Sequence, residues 1–320
     1  MALLTELYST TRANRDMPMA DNVTNHNALL AFLEDKGHVK NANGGRDLTE
    51  PLLYGEYTNA KWYDGYETFT VDTSEEAVTA AVYDWKQLGG FAFISGREEH
   101  ENVGKHAAVD LVTAKDEALI ATLRNKAALA LYNDGVTDPK AWGGLQYLVA
   151  DDPTAVLEVA GIDQNAEAWW RNQTNGGIVW ATAADVAAGI QSEMNDQYLA
   201  TIRGQDTVDL IMADLIHYKG YWESLQANQR LIKVEKGEAG FHALEFMMAP
   251  VIYDSACPAR HMYFLNTDFL RMRKAPRRWF SDEDPQPIQS ADYTLFPNWT
   301  MSNLTCNNRA RQGVLFSTAV

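Results

Sequence analysis

Cysteine is nearly missing from this 320-residue chain: there are two, Cys257 and Cys306, with no CxxC and no Cys/His spacing around them. That removes a disulfide scaffold and a zinc-finger arrangement from consideration. One bridge between the two stays open on sequence grounds, but the expectation is two separate buried thiols in a reducing compartment. Long apolar runs are missing too. No stretch approaches the roughly 18 residues a membrane helix needs. Residues 1–16 are polar after Leu4 and lack the apolar core of a secretory signal. Synthesis in the cytoplasm is expected, with no membrane partner. Positive charge is scarce, since 27 Lys and Arg face 43 Asp and Glu for a net charge of −16. Phosphate binding needs concentrated cations, so general affinity for nucleic acid is disfavoured. The imbalance is uneven: after residue 260, seven Lys/Arg meet five Asp/Glu, so the remainder carries −18. A solvated acidic surface accounts for this. A polyanionic wall along which DNA slides without sticking fits the same numbers.

Signatures of catalysis are also lacking. There is no GxxxxGK[ST], no GxGxxG after a strand, no HExxH and no GxSxG. The seven histidines are scattered, and His100 and His106 fall on different faces of a helix. No catalytic residue, cofactor or metal is expected. Carboxylates are plentiful, and Trp62-Tyr63 and Trp169-Trp170 could serve as sugar-stacking platforms in an acidic hydrolase. Large rings deliver most of their energy as core or interface anchors, and that is the expected role here.

What is present is an ordinary globular composition, 46% hydrophobic and 22% charged, on a chain long enough to bury a real core. Residues 1–16 read as an extended arm. Asp21 as N-cap, the stripe Ala28, Leu29, Phe32 and Leu33, and Gly37 as stop predict a helix to Lys36. From Leu52 to Gln87 the period changes to two residues. Glu67, Phe69 and Val71, then Val78, Ala80 and Val82, alternate with their neighbours and predict a long hairpin with its tip at Thr73 to Glu76. Such a ribbon has too little core to be stable alone, so it must lie on its own domain or on a neighbouring chain. Phe91-Ala-Phe-Ile94 predicts a buried strand, and Ser95 with Glu98 a capping box. Lys105 to Asp134 contains neither Gly nor Pro and predicts one strut-like helix. Further helices are expected over Ala184 to Leu199 and Ile216 to Leu231. A buried strand is expected at 208–212, and further strands at 263–265, 293–296 and 313–316. The basic cluster Arg271, Arg273, Lys274, Arg277 and Arg278 reads as a DNA-contacting patch or as a loop whose cations meet carboxylates. Asp282-Glu-Asp284 just downstream favours the second.

The order of arm, hairpin, strand, long helix, inserted mixed segment and returning strands resembles the Hong Kong 97-like shell fold. The local wording is similar to tailed-bacteriophage major capsid proteins. Matching stretches include Thr24-Asn-His-Asn-Ala-Leu-Leu30, Tyr83-Asp-Trp-Lys-Gln87, Gly143-Gly-Leu-Gln146, Trp170-Arg-Asn172, Glu223-Ser-Leu-Gln226, Met262-Tyr-Phe-Leu-Asn-Thr267 and Gln312-Gly-Val-Leu315. The resemblance implies an α+β subunit with an N-terminal arm (1–45), an extended hairpin loop (46–88), a peripheral domain (89–142 and 259–320) with a spine helix at 105–134, and an axial domain (143–258). It implies a non-enzymatic virion protein that forms pentamers and hexamers and encloses double-stranded DNA without sequence-specific binding. A separate scaffolding protein, a portal and a decoration protein are the implied partners. Contacts between subunits are expected at Trp62, Tyr63, Tyr66, Asp72, Glu75, Glu76, Tyr83 and Trp85, and at Arg271, Arg273, Lys274, Arg277 and Arg278. An acidic hydrolase and a phage tail or decoration protein are the alternatives.

Overall fold

The computed structural model describes residues 27–58, 60–68, 76–101, 111–228, 243–288 and 291–318. The arm, Asp21, Asp72, Glu75, the start of the expected spine helix and the end of the helix expected at Leu231 lie outside them.

Helix α1 (Ala28–Asp35) is capped by Asn27, whose Oδ1 accepts the Leu30 N–H at 2.8 Å. It buries Ala28, Leu29, Phe32 and Leu33 and ends at Gly37, whose φ of +69° suits a residue without Cβ. Strand β1 (Val39–Asn41) follows. Strands β2 (Asp47–Leu53) and β3 (Val78–Asp84) pair antiparallel over seven residues, from Asp47 opposite Asp84 to Leu53 opposite Val78. The first strand of the ribbon is therefore Asp47–Leu53, whereas the sequence pattern put the ribbon's start at Leu52 and its tip at Thr73 to Glu76; residues 69–75 lie outside the described residues. Residues 60–68, where two-residue alternation predicted more strand, form turns and irregular backbone instead.

Strand β4 (Lys86–Ser95) runs on into the short helix α2 (Gly96–Glu101) through the expected capping box: Ser95 N–H donates to Glu98 Oε2 and Glu98 N–H to Ser95 Oγ. Among the described residues the strut is α3 (Leu111–Ala130), 20 residues spanning about 30 Å. It stops four residues short of Asp134, because the Asp134 carboxylate takes the N–H groups of Val136 and Thr137 and turns the chain away. A one-turn helix α4 (Leu145–Leu148), the small hairpin β5 (Glu158–Val159) and β6 (Ile162–Asp163), and a 3₁₀ turn at Ala168–Trp170 come next. Then follow β7 (Gln173–Ile178), α5 (Ala183–Thr201), β8 (Leu210–Ala213), α6 (Leu215–Asn228), β9 (Ala243–Phe246) and β10 (Ala249–Tyr253). The chain closes with β11 (His261–Leu265), β12 (Leu270–Lys274), β13 (Ser281–Asp282), β14 (Gln286–Pro287), β15 (Tyr293–Cys306) and β16 (Gly313–Ser317).

Twelve of these strands form two six-stranded sheets, and β2–β3 and β5–β6 stand as two-stranded ribbons. Sheet 1 is organised around the 14-residue β15, which pairs with β4 along ten residues and with β12, β13 and β14; β1 adds to β12 in parallel. The strut packs on β4, and Gly89 lets the Trp299 ring lie where a Cβ would stand 2.1 Å from it. Sheet 2 has the order β7-β16-β11-β8-β10-β9. Strands β11 and β16 belong to it, so the division expected at residue 258 falls inside a sheet and does not follow a boundary between sheets. Helices α5 and α6 cover one face of sheet 2 over Ile211, Ala213, Met262, Phe264 and Leu315. Leu210, Met212, Tyr263 and Leu265 point the other way, into a core shared with Leu270, Met272 and Leu304 of sheet 1. Burial on both faces explains why 210–213 and 262–265 are continuous apolar runs. Both cysteines are free and buried.

Candidate assembly surface

The ribbon β2–β3 is two-sided. Its inner face, Leu48, Leu52, Ala81 and Tyr83, is buried in the shared core. Its outer face exposes Leu53, Val78 and Val82, with Leu53 at 80%. Beyond the paired base large rings are exposed: Trp62 and Tyr66 fully, and Tyr57 and Tyr63 more than half. Lys61 closes this segment on itself by pairing with Glu67 at 3.1 Å. Isolated apolar side chains on a surface are ordinary, but four large rings exposed within ten residues are more than that scatter accounts for.

The base is held hard. Glu50 is buried and accepts a two-pronged bond from Arg273, at 2.7 and 3.0 Å, with Thr305 Oγ1 donating to the same carboxylate. Tyr54 stacks on Trp169 at 4.9 Å, and the Val82 N–H donates to the Ala160 carbonyl at 2.9 Å.

Several expected contact residues lie elsewhere. Tyr83 is inside this chain, where its hydroxyl donates to the Cys306 carbonyl at 2.7 Å and accepts the Cys306 N–H. Burial holds that phenol well above its ordinary pKa. Trp85 is half-buried, with its indole N–H on the Gly45 carbonyl at 3.2 Å. Arg271, Arg273 and Lys274 lie in β12, not in a loop, because the alternation of Leu270 and Met272 into the core fixes them as strand residues. Lys274 stands over the Trp279 ring at 5.3 Å. Arg278 meets Glu283 at 3.7 Å, so two cations of the cluster do meet carboxylates of this chain. Arg277 and Glu76 are exposed. Trp170 is a core anchor, covered by Arg309 at 5.7 Å, and not a sugar platform. Phe91 and Phe93 correct the expected buried strand: only Ile94 is buried there, while both rings are more than half exposed, Phe93 beside Tyr293 at 6.0 Å.

Sequence reading missed the Arg309 centre. Its guanidinium is fully buried and donates to the carbonyls of Leu148 and Trp170 and to the side chains of Gln164 and Asn172. Burial brings its pKa down to about 10. No carboxylate is among these acceptors, so four neutral oxygens carry the cation. Arg309, Gln164 and Asn172 each stand among other polar residues in the sequence (Asn308 and Arg311, Asp163 and Asn165, Arg171 and Gln173), so nothing local reveals their meeting.

One arrangement has the order of groups found in serine hydrolases. Ser317 Oγ lies 3.4 Å from His217 Nε2, and His217 Nδ1 lies 2.8 Å from Asp214 Oδ1. All three are buried, His217 completely, and the Trp180 ring edges onto the imidazole at 5.5 Å. Ser317 is only 5% exposed among the described residues, so its hydroxyl is not presented on an open cleft there. The trio fastens α6 to β16, and Asp214 also caps α6 through the His217 N–H at 2.9 Å. Two clefts beside Lys86, of about 340 and 530 Å³, contain neither His nor Cys. Among the described residues no three His, Cys, Asp or Glu gather as metal ligands, and no helix is long and apolar enough to cross a membrane.

No protein-family model matches the chain, and no curated protein matches it. Solved structures do. The chain is similar to the capsid asymmetric unit of cyanophage A-1(L), at TM-score 0.67 and 17% identity over 94% of this chain and 95% of that one. It is similar to the capsid of an empty GTA particle, at TM-score 0.59 and 12% identity over 95% and 100%. The holo-SrpI encapsulin complex of Synechococcus elongatus PCC 7942 matches at TM-score 0.60 and 10% identity over 98% and 94%. The fold is therefore that of capsid proteins, an α+β subunit. Within that class it has the Hong Kong 97-like form to which the sequence order pointed.

Proposed function

We propose that this chain is the major capsid protein of a tailed bacteriophage, a non-enzymatic subunit that assembles as pentamers and hexamers into an icosahedral shell around double-stranded DNA. One observation carries the reading: a chain whose likeness to a capsid subunit covers 94% of its length holds out a ribbon whose outer face, with the Trp62 and Tyr66 rings, is exposed among the described residues. One surface repeated head-to-tail closes into rings. A subunit gripped at several places gains by multivalency even where each contact is modest. In this reading sheet 1 with the strut is the peripheral part, and sheet 2 with α5 and α6 is the axial part beside the symmetry axes. The ribbon lies over a neighbour, with Trp62, Tyr63 and Tyr66 as its anchors and the exposed Glu76 and Arg277 among the polar contacts. The scaffolding protein is a separate chain, portal and decoration proteins join the virion, and the acidic surface encloses DNA without binding its sequence.

The test is replacement of Trp62 and Tyr66 by Ser. Both side chains are fully exposed, so subunit stability stays within about 0.5 kcal/mol of the parent, while sedimentation shows loss of large particles. Unchanged particle yield would remove the ribbon from the assembly surface. The likeness to an encapsulin over 98% of this chain favours one second reading, a protein compartment without a genome. The ultraviolet spectrum of purified particles, with or without a nucleic-acid component, separates the two.

A further inference from the structure

His261 opens β11, and both of its ring nitrogens face acceptors. Nε2 is 3.0 Å from Asp151 Oδ2, and Nδ1 is 2.8 Å from the Ala259 carbonyl oxygen. A neutral imidazole has one N–H and one lone pair. In either neutral tautomer, a lone pair confronts an oxygen; only the imidazolium donates to both. The ring lies nearly parallel to Tyr263, at 6.1 Å and 18°, and to Phe316, at 5.7 Å and 15°. Nearby aromatic faces favour a cation over a neutral ring.

Asp151 begins a segment that reaches the ribbon. Its carbonyl accepts the Thr174 hydroxyl at 2.9 Å, beside sheet 2. Further along, Ala160 accepts the Val82 N–H of β3, and Trp169 stacks on Tyr54. We propose that His261 is a proton-operated latch that fastens the segment 149–170, and through it the base of the ribbon, to sheet 2.

The groups around the imidazole all act in one direction or stand neutral. Asp151 faces it from the segment, with its second oxygen buried and unpartnered. Asp214 faces it from the β8–α6 turn and holds the Arg260 N–H at 2.6 Å. The Arg260 guanidinium turns away to the Thr318 carbonyl at 3.0 Å, and the Cys257 thiol reaches the His261 carbonyl at 3.6 Å. Burial works to lower the His261 pKa, but the bond to Asp151, its charge, the Ala259 carbonyl and Asp214 outweigh it, and the net displacement is upward from 6.5. A folded-state pKa above the unfolded one gives stability that is complete below the unfolded value and lost as pH rises through the folded one. The latch is closed in mild acid and opens on the alkaline side.

The consequence for assembly rests on the capsid reading; the latch itself does not. The test uses the full chain as unassembled subunit. Imidazole proton resonances followed against pH place the His261 midpoint above 6.5, the ordinary value, and Asp151→Asn moves it down. Hydrogen exchange, corrected for its intrinsic pH dependence, shows residues 149–163 losing protection as the midpoint is passed. In His261→Gln that pH dependence disappears. A wild-type midpoint at or below the ordinary value overturns the latch, even if neither variant folds. So does protection of 149–163 that is the same on both sides of the midpoint. Neither result bears on whether particles form.

Discussion

Glu50 of β2 and Arg273 of β12 form a two-pronged ion pair, 2.7 and 3.0 Å, that joins the ribbon to sheet 1. The Glu50 side chain is 4% exposed and that of Arg273 21%. Breaking a buried pair by removing one partner leaves an uncompensated charge and costs about 3 kcal/mol, toward the lower end of the usual range because water reaches the guanidinium. Arg273→Met is therefore expected to lower stability in urea unfolding by about that amount, and Glu50→Gln added to it to recover part of the loss. A single-variant cost under about 0.5 kcal/mol would show that the pair does not hold the base.

Tyr83→Phe removes one hydroxyl that serves both the carbonyl and the N–H of Cys306. Leaving buried polar groups unsatisfied costs about 1–3 kcal/mol. The ring still fills its place in the core, so the loss shows in chemical denaturation without change in the circular dichroism of the folded state.

Arg309→Lys keeps the charge and loses the planar fork that reaches four oxygens. A compact ammonium cannot span acceptors contributed by residues as far apart as Leu148 and Asn172. The variant is expected to be more destabilised than Arg311→Lys, whose guanidinium is only partly buried. Comparing the two melting temperatures checks this.

Replacing residues 55–76 by Asn-Gly shortens the ribbon to its paired base, since Tyr54 N–H already bonds the Ala77 carbonyl at 3.0 Å and Asn-Gly suits a two-residue hairpin turn. The shortened chain is expected to fold with near-parental stability and to fail in particle assembly. A cut further down, through Ala81 and Tyr83, would destroy core and so could not test the ribbon.

Much of this was legible in residues. The stripe of α1, the Ser95–Glu98 box and the apolar runs at 210–213 and 262–265 each state their local structure, because periodicity and capping are properties of neighbouring residues. What failed was everything decided at a distance. Phe91 and Phe93 read as core because a ring in a strand looks the same whether or not another layer covers it. Tyr83 read as a contact because nothing near it announces Cys306, 223 residues away. The basic cluster read as a loop because its Arg and Lys outweighed the alternation of Leu270 and Met272. The Arg309 centre draws on three separate parts of the chain, and no spacing encodes it.

Electron microscopy of the purified full chain, prepared with and without the product of a co-expressed scaffolding gene, bears most directly on the central claim. Closed icosahedral particles containing pentamers and hexamers are expected. A chain that stays monomeric under every condition with the Trp62 and Tyr66 rings still bare, or one that builds only tubes of uniform symmetry, would contradict it.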